Sequence, residues 1–300
     1  MVEAGGRGVV LSLRRGPALL IAATLCSGSG SVQAQDGSGL RFEVVPGTVI
    51  RARSTAGGGI EVQRGAARPA QWLAAPTDAD ESVPRLSAED VDFDGVPELV
   101  ARASVGQVNE VVTVHRFDPA TAAFAAWPAP SSPHANCEGF WSLAVNMATR
   151  SLASACRSGP MWYTDVYRVS GGRPYLYRAE HVLMLDPQAL AQVLAIAHPD
   201  GDSGPLAVWS TYAANGDVLE SALGPGLDVP VSGAPLVPLR AQVVPARLPL
   251  HAAPGDTRTR RYLVAGDEVA VLDEHDGWLQ VRYQNPRRGP VLGWIEVTLP

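Results

Sequence analysis

The chain has 300 residues, 46% hydrophobic and 18% charged, with 30 glycines and 25 prolines. Its net charge of -6 and a basic complement made only of arginine leave no basic stripe for a nucleic-acid partner. The length allows one large or two ordinary domains, and this much glycine and proline favours short strands and turns over long helices.

Residues 1–34 read as a signal peptide. Arg14 and Arg15 precede an apolar run from Ala18 to Leu25, and Val32 and Ala34 hold the small-residue places before a cleavage at Gln35. The run is short for a bilayer span and no other segment reaches that length, so no membrane span is expected. A lipid anchor on Cys26 is the weaker alternative, because Leu25 is bulky for the residue before a lipidated cysteine. The expected location is the periplasm. Once Cys26 is removed, Cys137 and Cys156 remain as an even pair, which in an exported chain reads as a disulfide; two buried thiols are the rival reading.

From residue 35 to about 230 the pattern is one of short strands. "LRFEVVPGTVIRARS" and "GIEVQRG" open it, and "PELVARASVG" and "NEVVTVHRFD" alternate as paired strands do. "TDVYRVSGGRPYLYRAE" is a hairpin turning at Gly171-Gly172, and "AVWSTYAANGDVLESAL" turns at Asn215-Gly216. "DPQALAQVLAIA" is open between two readings: a helix capped by Asp186 with Pro187 in its first turn, or a buried strand. Residues 224–239, rich in glycine and proline, read as a linker, with 231–241 taken as the boundary. Residues 242–300 then give several short strands of a small β-barrel.

The stretch "DVDFDGVPEL" carries the sharpest chemical signal. Asp90, Asp92 and Asp94 stand at alternate positions, Gly95 permits a sharp turn, and Glu98 follows. Calcium takes six to eight oxygens at about 2.4 Å from carboxylates, carbonyls and water. Asp90, Asp92, Asp94, the Val96 carbonyl and Glu98 form the expected ligand set. An EF-hand would place its bidentate glutamate where Ala101 stands, so a calcium loop between strands is the better reading. Magnesium fits less well because it keeps its waters, and a solvated acidic turn is the plain alternative. The role expected is structural. Asp200 and Asp202 lack a third acid and read as a turn.

Nothing in the sequence has the spacing of a catalytic centre. The histidines at 115, 134, 181, 198, 251 and 275 are scattered, and no HExxH, GxSxG or phosphate-binding loop occurs. A non-enzymatic binding protein is the expectation. The turn in "CRSGPMWYTDVYRV" would present Ser158, Met161, Trp162 and Tyr163 to a partner, with packing on its own sheet as the alternative reading of Trp162.

Two resemblances add to this reading. The order "LPLHAAP", "GDEVAVL", "DGWLQVRY", "GWIEV" resembles the bacterial SH3 domain, a family that often binds cell-wall peptides; Trp278 and Trp294 would line its groove or fill its core. The middle of the chain, with the aspartate loop, "VHRFDPATAAF" and the "RSGxxxY" turn at Arg157–Tyr163, is similar to a group of periplasmic calcium-binding proteins that inhibit lysozyme-like effectors delivered by type IV secretion. The second resemblance implies Ser158, Gly159 and Tyr163 as the inhibitory turn, with Pro160, Met161 and Trp162 as departures from the pattern. Together they imply an all-β chain: an antiparallel sandwich or propeller-like calcium-binding domain followed by a small SH3-like barrel. The partner would be a peptidoglycan hydrolase, or peptidoglycan itself for an envelope scaffold.

Overall fold

The computed structural model describes residues 39–55, 58–65, 68–76, 83–197 and 204–297. The expected signal peptide with Cys26, and the expected turn at Asp200 and Asp202, lie outside the described residues. Alternation of apolar and polar side chains builds the first sheet. In β1 (Leu40–Val45), Leu40, Phe42 and Val44 turn inward while Arg41 and Glu43 stay exposed. β2 (Thr48–Ser54), β3 (Gly59–Arg64) and β4 (Gln71–Ala74) follow as an antiparallel meander. The pairs Phe42↔Ile50 and Ala52↔Val62 keep the apolar residues on one face.

A second antiparallel sheet lies against that face. It runs β5 (Arg85–Glu89), β6 (Glu98–Val105), β7 (Asn109–Asp118), β8 (Ala123–Ala126), with the short β9 (Phe140–Trp141) also on β7. β6 is covered on both sides, which explains its nearly continuous apolar sequence. Leu99 and Ala101 join Phe42, Ile50 and Phe117 in one core, while Val100 joins Val112, Phe140, Leu152 and Tyr167 in another. The second core is closed by the third sheet, so three sheets are stacked in sandwich fashion.

The third sheet contains β10 (Ala144–Asn146), β11 (Ser151–Ser158), β12 (Met161–Ser170) and β13 (Arg173–Val182). After β13 come helix α1 (Pro187–Val193) and β14 (Leu194–Ile196), then β15 (Leu206–Tyr212) and β16 (Val218–Pro225). The sheet order is β10-β11-β12-β13-β15-β16, and the two expected hairpins turn where the glycines stand. The segment with two possible readings adopts both. Asp186 Oδ1 accepts from the Gln188 and Ala189 N–H groups and Pro187 starts the helix, which gives way to extended chain at Leu194.

The remaining strands are β17 (Arg240–Val243), β18 (Leu248–Pro249), β19 (Tyr262–Leu263), β20 (Glu268–His275), β21 (Trp278–Asn285) and β22 (Gly289–Glu296). The pairing does not close into a barrel. It forms an open sheet, β14-β17-β20-β21-β22, with the ribbon β18-β19 beside it and a bridge between His251 and Trp294. The edge strand β14 comes from before β15, so residues 194–196 belong to the C-terminal sheet. Leu190, Leu194, Val208 and Leu223 share one core with Val269, Val271, Leu279 and Ile295. No helix among the described residues is long and apolar enough to cross a membrane.

Candidate functional site

The acidic loop spans the connection between β5 and β6, whose facing ends pair Glu89 with Glu98. Its alternation has a mechanical basis. Val91 and Phe93 are buried in the core between the second and third sheets, which leaves Asp90, Asp92 and Asp94 to the other side. Positive φ angles at Phe93 (64°) and Gly95 (88°) bend the chain back, and Arg150 Nη2 holds the Phe93 carbonyl at 2.8 Å. Phe93 accepts the left-handed region because its ring is buried and its carbonyl is tied.

Each of three acids spends one oxygen on the loop backbone. Asp90 Oδ2 accepts from Gly95 N–H at 3.1 Å, Asp92 Oδ1 from Asp94 N–H at 3.1 Å, and Glu98 Oε2 from Val91 N–H at 2.9 Å. Asp90 Oδ1 and Glu98 Oε1 are buried with no hydrogen-bond partner, and Asp92 Oδ2 has only an ion pair with Arg116 Nε at 2.8 Å. Asp90, Asp92 and Glu98 can each present an oxygen so that all three lie within 4.8 Å of one another. Asp94 is not part of this trio. Its Oδ1 accepts from Val96 N–H at 2.8 Å and its Oδ2 from Arg116 Nη2 at 2.7 Å. The Val96 side chain packs against the first core.

The electrostatics follow the geometry. Glu98 has no exposed surface, and burial pushes its carboxyl up to about 8, helped by the charges of Asp92 and Asp94. Burial also raises Asp92, with Asp94 acting in the same direction. Burial alone would raise Asp94 too, but the Arg116 and Val96 hydrogen bonds outweigh it and hold its carboxyl below the usual range. Three converging carboxylates, two of them with an orphaned buried oxygen, are an arrangement that a hard divalent cation fits.

The second predicted feature is the β11–β12 turn. Ser158 pairs with Met161 at its tip, Gly159 has φ of 59°, and Ser158, Gly159 and Pro160 are exposed. Cys137 and Cys156 form a disulfide across 19 residues, two residue pairs behind this tip. Asn109 grips its edge from β7, donating to the Arg157 carbonyl at 3.1 Å and accepting from Arg157 N–H at 2.9 Å. The Arg157 guanidinium lies 6.0 Å from the Trp162 ring. Tyr163 pairs with Cys156, is half-buried, and stands behind the tip rather than on it.

Comparison with family models, curated proteins and solved structures finds no match.

Trp278 and Trp294 lie on the C-terminal sheet, outside its core. Gln280 faces Trp294 across β21 and β22, so Trp278 and Trp294 share one face while Leu279 and Ile295 fill the other. His251 stands edge-on to Trp278 with ring centroids 5.1 Å apart, and its backbone bridges Trp294. Sequence reasoning missed Arg116, which no local pattern ties to a loop more than twenty residues upstream. It also missed the buried acids Asp165 and Glu180. Asp165 accepts from the Asn136 side chain and from the Asn136 and Cys137 N–H groups, and Glu180 Oε1 accepts from Thr164 N–H. Both lie on strands whose neighbours are ordinary strand residues, so nothing in the sequence marks them as internal.

Proposed function

We propose that the chain is an exported, calcium-stabilised binding protein that blocks a lysozyme-type peptidoglycan hydrolase and catalyses no reaction itself. The observation that supports this reading is the β11–β12 tip. Ser158, Gly159 and Pro160 project from a hairpin that is disulfide-linked just behind its tip and whose edge is gripped by Asn109. A protrusion ordered in advance loses little conformational entropy on entering a cleft. Within such a cleft the Ser158 hydroxyl would hydrogen-bond to a catalytic carboxylate while Trp162 covers the rim. Tyr163 would brace the turn from behind. The disulfide fits export to an oxidising compartment, the periplasm.

In the acidic loop Asp90, Asp92 and Glu98 would hold the ion, with Asp94 kept on Arg116. Bound calcium supplies the positive charge that the buried oxygens lack. The carboxylates then tie β5 to β6, and through β7 the Asn109 grip on the tip. The test is an inhibition assay of the purified chain against a panel of peptidoglycan hydrolases. Inhibition should weaken by about tenfold or more in Ser158→Arg and Trp162→Ala, a loss of roughly 1.4 kcal/mol or more, and hardly at all in Tyr163→Phe. Hydrolase rates unaltered by micromolar wild-type protein would remove the support for this reading.

A second reading is favoured by the aromatic face of Trp278, His251 and Trp294. An SH3-like module of the C-terminal sheet would stack peptidoglycan on the Trp278 and Trp294 rings, with buried His251 edge-on to Trp278, and make the chain an envelope scaffold. Retention of the full chain on purified sacculi, lost in Trp278→Ala/Trp294→Ala, would favour it over inhibition.

A further inference from the structure

A cavity of 620 Å³ opens beside the acidic loop, and its lining is unusual for a chain of net charge -6. Arg116, Arg150 and Arg168 reach it from β7, from the loop before β11 and from β12, with Thr149, Gly172 and Tyr175 completing the wall. Each arginine is held in place by its own neighbours. Arg116 is fixed by Asp92 and Asp94. Arg150 is fixed by the Phe93 carbonyl, and Arg168 donates from Nε to Ser232 Oγ at 3.1 Å while its guanidinium lies 3.9 Å from the Tyr177 ring centroid. Gly172, at φ of 72°, leaves room for Arg116 in this arrangement. A Cβ there would come within 2.8 Å of Arg116 Nη1. The Gly172 carbonyl is itself anchored by Trp127 Nε1 at 2.9 Å.

We propose that this cavity is a binding site for a phosphomonoester or a chemically similar tetrahedral oxyanion. Guanidinium groups match phosphate oxygens with paired N–H donors, and three of them from three separate segments suit a group with several acceptors better than a planar carboxylate. Asp92 and Asp94 also line the cavity, but Arg116 engages both, so three guanidinium charges face two carboxylates and the balance is positive. The two sites are linked through Arg116. A cation on Asp90, Asp92 and Glu98 offsets Asp92, one of the two carboxylates that Arg116 now serves, and leaves more of the Arg116 charge to the cavity. Oxyanion affinity then rises when calcium is bound, and calcium affinity rises by the same factor when the oxyanion is bound. This coupling rests on the calcium reading of the loop; the oxyanion site itself does not.

The experiment is calorimetric titration of the full chain with glycerol 2-phosphate, in EGTA and in saturating calcium, with flotation on vesicles carrying phosphatidic acid as a parallel arm. Saturable binding in EGTA, weakened about tenfold or more in Arg168→Gln and in Arg150→Gln at unchanged melting temperature, is the expected result. Calcium should then tighten it several-fold. Flotation without binding of the soluble ester would assign the phosphate to a lipid headgroup, whereas the reverse would assign it to a soluble ligand. If neither arm binds, or if binding survives both substitutions, the inference is overturned. If either substitution unfolds the chain, competition of wild-type binding by sulfate decides instead: no competition overturns the site. Calcium binding with no oxyanion binding sinks this inference alone, and oxyanion binding with no calcium binding sinks the loop reading alone.

Discussion

Glu98 and Glu180 are internal carboxyls with different consequences. Glu98 bonds Val91 N–H through one oxygen and leaves the other buried without a hydrogen-bond partner. Desolvating a carboxylate without a partner is costly, and under the calcium binding proposed above the ion would offset that cost. Glu98→Gln should therefore melt at or above the wild-type temperature in EGTA yet lose the rise that calcium gives. In the wild type that rise should correspond to about 3 kcal/mol at a calcium concentration a hundred times Kd. Paired melting curves in EGTA and in calcium check both halves. Glu180 has no such role, and its cost appears as pH dependence. Burial lifts its carboxyl from the ordinary 4.5 to about 7, with Asp165 adding repulsion. The folded state thus holds this proton more tightly than the unfolded one. The penalty is absent below the unfolded value, grows as pH rises from 4.5 to about 7, and reaches about 3 kcal/mol above that. Glu180→Gln should flatten that part of the stability profile, leaving the slope due to Glu98, Asp92 and Asp165, whose carboxyls burial also raises. Urea unfolding across the acid-to-neutral range measures it. A mutant profile parallel to the wild type would mean that Glu180 is ionised at no cost.

At the level of elements, the segment after β16 is more firmly held than its glycines and prolines imply. Arg178 on β13 has no exposed surface. It donates to Thr211 Oγ1 at 2.8 Å, to the Val231 carbonyl at 2.8 Å, to the Pro230 carbonyl at 3.3 Å, to the Ala234 carbonyl and to Glu220 Oε1. One guanidinium therefore fastens 230–234 to two strands, and a lysine has neither the donors nor the shape to replace it. Arg178→Ala leaves these carbonyls without their donor and should cost about 3 kcal/mol, with faster amide exchange in 230–236. Exchange confined to global unfolding in the mutant would show that the segment holds itself. This contact marks the limit of what local sequence conveys. Strands with clean alternation, such as Leu40–Val45, and hairpins with paired glycines, such as Gly171-Gly172, are legible because the signal and the structure lie within a few residues. The acidic loop is legible for the same reason, although the sequence pattern groups Asp94 with Asp90, Asp92 and Glu98 and only packing sets it on Arg116. Arg116 at the loop, Arg178 on the linker and β14 against β17 join residues far apart in the chain, and only tertiary packing brings them together.

For the whole molecule the open question is how many units unfold. Composition places a boundary near residues 231–241, yet the contacts cross it. Leu239 N–H bonds to the Leu223 carbonyl, β14 pairs with β17, and Leu190, Leu194, Val208 and Leu223 complete a core whose other half is Val269, Val271, Leu279 and Ile295. A fully buried aliphatic side chain contributes about 1.5–3 kcal/mol, so uncovering four of them removes about 6 kcal/mol or more, comparable to the whole stability of an ordinary domain. A fragment ending at residue 225 should therefore lack native near-ultraviolet dichroism or associate through the uncovered face. The chain from residue 39 to the end should unfold in one transition whether followed by tryptophan fluorescence or by far-ultraviolet dichroism. The two tryptophans of the C-terminal face allow a sharper version, because Trp278→Phe/Trp294→Phe leaves the remaining fluorescence to the preceding sheets. A transition in that variant that coincides with the dichroism places both halves in one cooperative unit. A fragment to residue 225 that melts at the temperature of the full chain would instead establish that the three stacked sheets stand alone and that the C-terminal sheet is an appended module.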